Sequence, residues 1–373
     1  MKEFSISLNE KAKQLDYVVL FCALGMNILS LLTLYGAANE LGSRFFVVQT
    51  VASMVGIMCM LVLAYIDYDK ILNAVGYWLI PLSVILMAAV FIFGDAKRGN
   101  QAWIQVGPVS LQPSEFVKLF FIMTFSKHIK KVQHDINNIK NVLMLCIHGG
   151  FYFALVLGTT KDLGSGLVFL GIMVIMLLVS GMSMWYFIGA AALIVILSPV
   201  LWEFLSESQQ DRIIFGFNPE GDPTDKGFQA LRSRSVIAAG GFLGSGMFGG
   251  SQYPYLSDAY CDFLFAVLAE KFGFFGCFTY IILMGTLIIR VLWIARIARK
   301  DYGAYICAGV VAVFFCQSLE NIGMCLAMLP VVGITLPFFS YGGSSILASY
   351  MLVGMVQSIK SHNKKYFFER EKS

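Results

Sequence analysis

Several stretches of this sequence carry chemically capable side chains inside or beside apolar runs. Asp262 stands at the mouth of one such run, in YPYLSDAYCDFLFAVLAEKFG, residues 253–273. A carboxylate at a water–lipid boundary can accept a proton from a sugar hydroxyl within hydrogen-bond reach. The plainer reading is a helix N-cap, where Asp is favoured and its charge suits the helix dipole. Glu115 and Lys118 stand three apart in WIQVGPVSLQPSEFVKLFF, residues 103–121, just after Pro113. Proline suits a helix start, and residues three apart share a helix face. The two form either an ion pair that makes charge tolerable near a bilayer or a polar wall of a substrate cavity. TTKDLGSG, residues 159–166, sets Lys161 and Asp162 in a short turn. Glu320 and Asn321 lie within an apolar run. A carboxylate there must be paired, protonated or facing water, and structural polar packing is the favoured reading.

Two further stretches read as irregular. Residues 211–252 run DRIIFGFNPEGDPTDKGFQALRSRSVIAAGGFLGSGMFGGSQ. Asn218, Pro219, Gly221 and Pro223 punctuate turns. FQALRSRSVIAAGG predicts a short amphipathic helix with Arg232 and Arg234, and GGFLGSGMFGG offers free backbone amides. Arginines beside flexible backbone suit a phosphate or pyrophosphate. No strand precedes the glycines and no lysine–hydroxyl ending follows, which argues against a nucleotide loop. The plainer reading is a loop lying on a membrane surface. ENIGMCLAMLPVVGITLPFFSYGGSSI, residues 320–346, is broken by Pro330, Gly333 and Pro337. Tyr341, Ser344 and Ser345 add hydroxyls to its last turn, which is either a connector or the lining of a cavity. Irregular backbone at membrane depth survives only where it faces protein or water.

These residues need a membrane scaffold. The 373 residues are 58% hydrophobic and only 13% charged. Soluble domains carry about a quarter charged residues. An all-α, polytopic membrane protein follows, as one membrane domain over residues 1–373. A span needs about 20 apolar residues. About ten candidates fit: 17–36, 45–66, 71–93, 114–129, 141–159, 163–181, 184–205, 264–295, 304–329 and 343–360. The fourth is short and polar at its start, and Glu270, Lys271 and Gly273 interrupt the eighth. The first lacks a small-residue cleavage site, so it reads as retained.

Basic residues orient the spans. With both termini inside, the cytoplasmic side holds Lys2, Lys11, Lys13, Lys70, Lys127, Lys130, Lys131, Lys140, Arg290, Arg296, Arg299, Lys300 and the basic tail. The outer side holds fewer, in keeping with the positive-inside rule. Residues 94–113 and 206–262 are then external, the second forming one large extracytoplasmic loop. The net charge of +4 is spread between apolar segments and is no nucleic-acid signal. The eight cysteines form no CxxC pair, and the four histidines lack ligand spacing. No metal site is assigned.

Together these stretches resemble the SEDS family (shape, elongation, division and sporulation) over nearly the whole chain. The pieces that carry the resemblance are WIQVGPVSLQPSEFVKL, KDLGSG, NPEGDP followed by GFQALRS and its glycines, CDFLFAVLAE, and NIGMCLAMLPVVGITLPFFSYGGSS. The NIGM and LPVVGITLPF wording stands nearer the RodA branch than the FtsW branch. The resemblance implies a peptidoglycan glycosyltransferase. Such an enzyme polymerises lipid II, an undecaprenyl-pyrophosphate-linked disaccharide pentapeptide, at the outer face of the bacterial cytoplasmic membrane. It implies a class B penicillin-binding protein as partner. The family's essential aspartate falls on Asp262, and other recurrent polar positions fall on Glu115, Lys118 and Asp162. Trp103, Gln112, Arg232 and Ser340 also match recurrent positions.

On this reading Asp262 is the base for the acceptor hydroxyl. Lys118, Arg232 and Arg234 are the candidates that stabilise the pyrophosphate leaving group. A divalent cation such as Mg2+ could screen that group, though no ligand cluster identifies a protein-held site. The chain departs from the family pattern at Cys261, at Lys161, in LSDAY, and at Lys271, where the family often carries a second Glu after Glu270. The charge change at position 271 is expected to alter how the eighth span docks. A lipid II flippase and a non-catalytic scaffold for the penicillin-binding protein are the competing classes.

Overall fold

The computed structural model describes residues 14–97, 100–106, 109–298 and 301–362. The basic residues Lys2, Lys11, Lys13, Arg98, Arg299, Lys300 and those after position 362 lie outside the described residues. The principal helices are α1 (Tyr17–Gly36), α2 (Ser43–Tyr65), α3 (Tyr68–Val75), α4 (Leu79–Phe93), α5 (Pro113–Val132), α6 (Ile139–Thr160) and α7 (Leu163–Val179). They continue as α8 (Met184–Glu203), α9 (Glu207–Phe217), α10 (Phe228–Gly240), α11 (Leu264–Arg296), α12 (Asp301–Cys325) and α13 (Gly343–Ser361). The apolar segments expected to span fall on these helices, except that 71–93 divides between α3 and α4 and 304–329 runs four residues past the end of α12. Among the described residues, five can cross a membrane unaided by length and composition: α1, α2, α6, α11 and α12. A sixth is possible if α3 and α4 form one broken span, because they bend by 75°. Helices Leu163–Val179 and Met184–Val200 are apolar but shorter.

The sequence sets several helix starts directly. Asp16 caps α1 by accepting from the Val19 amide, and Asn138 caps α6 through the Lys140 amide. Each satisfies an amide that the first turn leaves without a helical partner. Pro113 opens α5, where its missing N–H costs nothing. Side chains such as Phe93, Val195 and Ile196 are strongly exposed along the helices. In a membrane chain this is the lipid-facing surface, so the core is judged from the faces that helices share.

Helix α12 is central: 67% of its apolar window is buried. It packs on α7, α11 and α5. The most extensive pairing joins α2 to α13. Small residues permit that approach: a Cβ at Gly354 would lie 2.9 Å from the Met60 carbonyl oxygen, and one at Gly56 2.6 Å from the Tyr350 ring.

Both long loops are more structured than the sequence suggests. Three short strands, β1 (Asp95–Lys97), β2 (Asn100–Val106) and β3 (Val109–Leu111), pair as a small antiparallel sheet. The second loop contains α9 and α10, and α10 packs on α11. The break expected in the eighth segment is present. Helical geometry fails at Gly273 (φ 65°, ψ −160°), where a Cβ would meet the Phe242 carbonyl oxygen at 2.4 Å. Glycine is required there both by its positive φ and by the crossing loop.

Candidate active site

The site is built around the non-helical stretch between α12 and α13. Its backbone runs within the bundle, so its polar groups need internal partners. Asn321 on α12 donates from Nδ2 to the carbonyls of Ile334 at 2.6 Å and Asp262 at 2.9 Å. Tyr280 Oη donates to the Pro337 carbonyl at 3.1 Å, and Gln49 Nε2 to the Ser340 carbonyl at 3.0 Å. Gln49 Oε1 accepts from the Gly342 amide at 3.2 Å. The Tyr341 amide donates to the Tyr260 carbonyl at 3.1 Å. The broken stretch is thereby fastened to α2, α11, α12 and the loop that carries Asp262.

Asp262 is half-buried at the end of a tight turn. The amides of Cys261 and Phe263 both donate to the Asp258 carbonyl, and Asp258 itself has φ 52°. The helix cap is Phe263, with no side-chain capping bond, so the N-cap reading of Asp262 does not hold. Instead its carboxylate faces Gly333, where a Cβ would stand 3.2 Å from Asp262 Oδ2. Gly333 has φ 71°, a conformation that L side chains rarely adopt.

Gly333 also walls a small polar cavity. Its other lining residues are Gln112, Glu115, Lys118, Ser165, Val168, Gln317, Ile334 and Thr335, and it has room for about one water. Lys118 Nζ donates to Glu115 Oε1 at 2.8 Å, with both side chains buried at 3% and 7% exposure. This is a buried pair on a cavity wall rather than a surface pair. The Gln112 amide, just before α5, donates to Ser344 Oγ at 2.9 Å and ties that helix start to α13. Asp162 is buried and caps α7, accepting from the Gly164 amide at 3.2 Å and from Ser165 Oγ at 2.6 Å. Burial raises its pKa, opposed by the bonds from Ser165 and Gly164 and by the charge of Arg212. Asp162 thus orients Ser165, which borders the cavity.

Glu320 lies one residue before Asn321, within electrostatic reach of Lys118 and Asp162. Its Oε2 is buried without a hydrogen bond among the described residues. Asn321 does pack structurally, as the sequence suggested, and what it holds is the Asp262 backbone.

The remaining expected site residues stand elsewhere. Arg232 donates from Nη2 to the Gln252 carbonyl at 3.3 Å and lies 5.3 Å from the Tyr255 ring. Its contacts hold the long loop between α8 and α11. Arg234 is exposed on α10. Ser340 is buried, its hydroxyl accepting from the Leu336 amide at 2.9 Å, so it closes a turn. Trp103 is half-buried in β2 opposite Asp95. None of these four borders the cavity. Ser165, Gln317, Gly333 and Thr335 do, and sequence reasoning did not select them. Gln317 lies one turn before Asn321, and Gly333 lies between two prolines. Ser165 lies within KDLGSG, three residues after Asp162. Among the described residues, no group of three or more His, Cys, Asp or Glu side chains is placed to hold a metal.

Known proteins extend the comparison. The chain is 32% identical over 357 residues to the peptidoglycan glycosyltransferase MrdB of Escherichia coli, covering 94% of each. It is 31% identical over 324 residues to the stage V sporulation protein E of Bacillus subtilis, covering 85% of this chain and 87% of that one. Among solved structures it is similar to a chain from a study titled "Structural coordination of polymerization and crosslinking by a peptidoglycan synthase complex". The TM-score is 0.82 at 26% identity, covering 94% of this chain and 99% of the other. The fold also matches the rod shape determining protein RodA of Thermus thermophilus, with TM-score 0.71 at 22% identity over 94% and 98% of the two chains. The family model for FtsW, RodA and SpoVE, described as cell cycle protein, matches residues 13–365, and this chain belongs to that family.

Proposed function

We propose that this chain is a peptidoglycan glycosyltransferase that joins lipid II units into beta-1,4 glycan strands at the outer face of the cytoplasmic membrane. The observation that carries the reading is the shared wall at Gly333. On one side stands the Asp262 carboxylate, on the other a buried cavity with Lys118 and Glu115. A base and a cation thus stand on the two sides of one glycine, close enough to serve the acceptor and the pyrophosphate donor of a single transfer.

In the reaction, the acceptor sugar hydroxyl attacks the anomeric carbon of the donor. Its proton passes to an Asp262 carboxylate oxygen as the new C–O bond forms. The bond to the pyrophosphate breaks, and undecaprenyl pyrophosphate leaves with the electron pair. The single displacement converts an alpha-linked donor into a beta linkage. Lys118 supplies positive charge on the donor side, where charge develops. Glu115 holds that ammonium in place. Asp162 acts through Ser165. Arg232 and Arg234 serve the outer loop, where they meet the anionic substrate on its approach. A divalent cation such as Mg2+, if present, would be carried by the phosphates of the substrate, because the carboxylates around the cavity form no cage for it.

Similarity to a chain of a peptidoglycan synthase complex supports a cross-linking partner of the class B penicillin-binding type. The distribution of basic residues supports cytoplasmic termini. Reconstituted vesicles loaded with lipid II test the reading. The enzyme releases undecaprenyl pyrophosphate in step with glycan. A transporter or scaffold moves or holds lipid II and releases none, and that result would reject the proposal.

A further inference from the structure

Lys271 is completely buried on the half-helix that precedes the break at Gly273. Its Nζ donates to three carbonyls: Gly36 at 3.1 Å, Met247 at 3.1 Å and Gly249 at 2.9 Å. The Tyr253 hydroxyl lies 3.5 Å away, and its ring centroid 4.5 Å. An ammonium has three N–H donors and no acceptor. Here each donor has a carbonyl. Gly36 is the last residue of α1, where helical carbonyls lack partners and the dipole is negative. The neighbouring side chain does the reverse. Glu270 accepts from the amides of Ser251, Gln252 and Tyr253 at 2.9, 2.8 and 2.8 Å. The loop therefore turns its carbonyls to Lys271 and its amides to Glu270.

We propose that the Lys271 ammonium is a tethered internal cation, and that the carbonyl cage around it is a binding site for a primary ammonium. Seated there, it joins the end of α1 to the glycine-rich segment, and so fixes the loop that leads into Asp262. Lys271 is a positioning residue. It touches none of the reacting atoms assigned above. An uncharged or acidic side chain cannot satisfy three carbonyls, so the loop detaches when the ammonium is lost. This inference rests on the glycosyltransferase reading for its effect on turnover, but not for its effect on the loop.

The test is chemical rescue of Lys271→Ala in lipid nanodiscs, with n-propylammonium, tetramethylammonium and n-propanol as probes. Two readouts are taken: glycan polymerisation, and hydrogen exchange of the Ser251, Gln252 and Tyr253 amides. In the variant those amides exchange at least about tenfold faster, and polymerisation falls by about tenfold or more. n-Propylammonium restores both. Tetramethylammonium has the charge without donors, n-propanol has the bulk without the charge, and neither restores them. Amides that stay protected in Lys271→Ala, or rescue by all three probes alike, overturn the proposal. So does a folded variant that n-propylammonium leaves unchanged. If Lys271→Ala does not fold, Lys271→Met keeps the side-chain length without donors, and protected amides in it overturn the proposal equally. A wild-type chain that makes no glycan rejects the enzymatic reading alone, since the exchange readout still decides the cage.

Discussion

Gly333→Ala tests the geometry at the site with a single methyl group. Two effects follow from the structure. The first is strain, because Gly333 has φ 71°. An L residue held in the left-handed region costs about 1–2 kcal/mol. The second is contact, because the new Cβ stands 3.2 Å from Asp262 Oδ2. That is closer than ordinary van der Waals separation, so the carboxylate moves by a few tenths of an ångström. A misplacement of about 1 Å costs ~100-fold in rate, so a shift of this size costs about tenfold. Gly181→Ala separates the two effects. Gly181 has φ 84° with nothing within 4 Å of its added Cβ, so it carries strain without contact. Both variants should lose similar stability in thermal unfolding. Only Gly333→Ala should lose turnover, with lipid II affinity retained. Equal turnover in the two variants would refute the placement of Asp262 as the acting carboxylate.

Other perturbations follow from the same contacts. Lys118→Gln leaves the buried Glu115 charge unpaired and should cost about 3–5 kcal/mol in unfolding, while Glu115→Gln with Lys118→Gln should recover most of that stability. The double variant should still turn over about 100-fold more slowly, for want of the cation. Asn321→Ala removes the amide bonds to the Asp262 and Ile334 carbonyls, of which the first keeps the weak Cys325 thiol at 3.7 Å. It should lower stability by about 2–4 kcal/mol and reduce polymerisation in the same preparation. Asp162 has a folded pKa raised above its ordinary 3.8, so its contribution is present below that value and is lost as pH rises through the folded pKa. As pH rises from the ordinary carboxylate range toward the raised folded pKa, the melting temperature of wild type should therefore fall relative to Asp162→Asn.

The helical segments were legible because span-length apolar runs leave little alternative. The break at Gly273 was legible for the opposite reason, as charge and glycine interrupted the run. The 75° bend between α3 and α4 was not, because both sides of it are apolar and Gly76 is a weak marker. The sheet over residues 95–111 was read as loop because its strands are short, although Gly107 and Pro108 stand between β2 and β3. At the site, the Glu115–Lys118 pair followed from helix spacing alone. Gly333 beside Asp262 did not, since that contact joins residues 71 positions apart. Arg232 shows the limit in the other direction. An arginine beside glycines suits a phosphate, but it serves a loop carbonyl and a tyrosine ring equally well. Only packing decides between those uses. Lys271 is similar. Its sequence position marked a change of charge, while the three carbonyls that need that charge come from distant segments.

The most direct measurement of the central claim is glycan length on a gel. Lipid II is supplied to the purified chain with a penicillin-binding partner whose transpeptidase is inactivated, beside the Asp262→Asn variant. The account predicts long glycan from wild type. It predicts a loss of about 100- to 10,000-fold in the variant, with lipid II still bound. Equal glycan from both would remove Asp262 from the chemistry. No glycan from a folded wild-type complex that binds lipid II would contradict the enzymatic account.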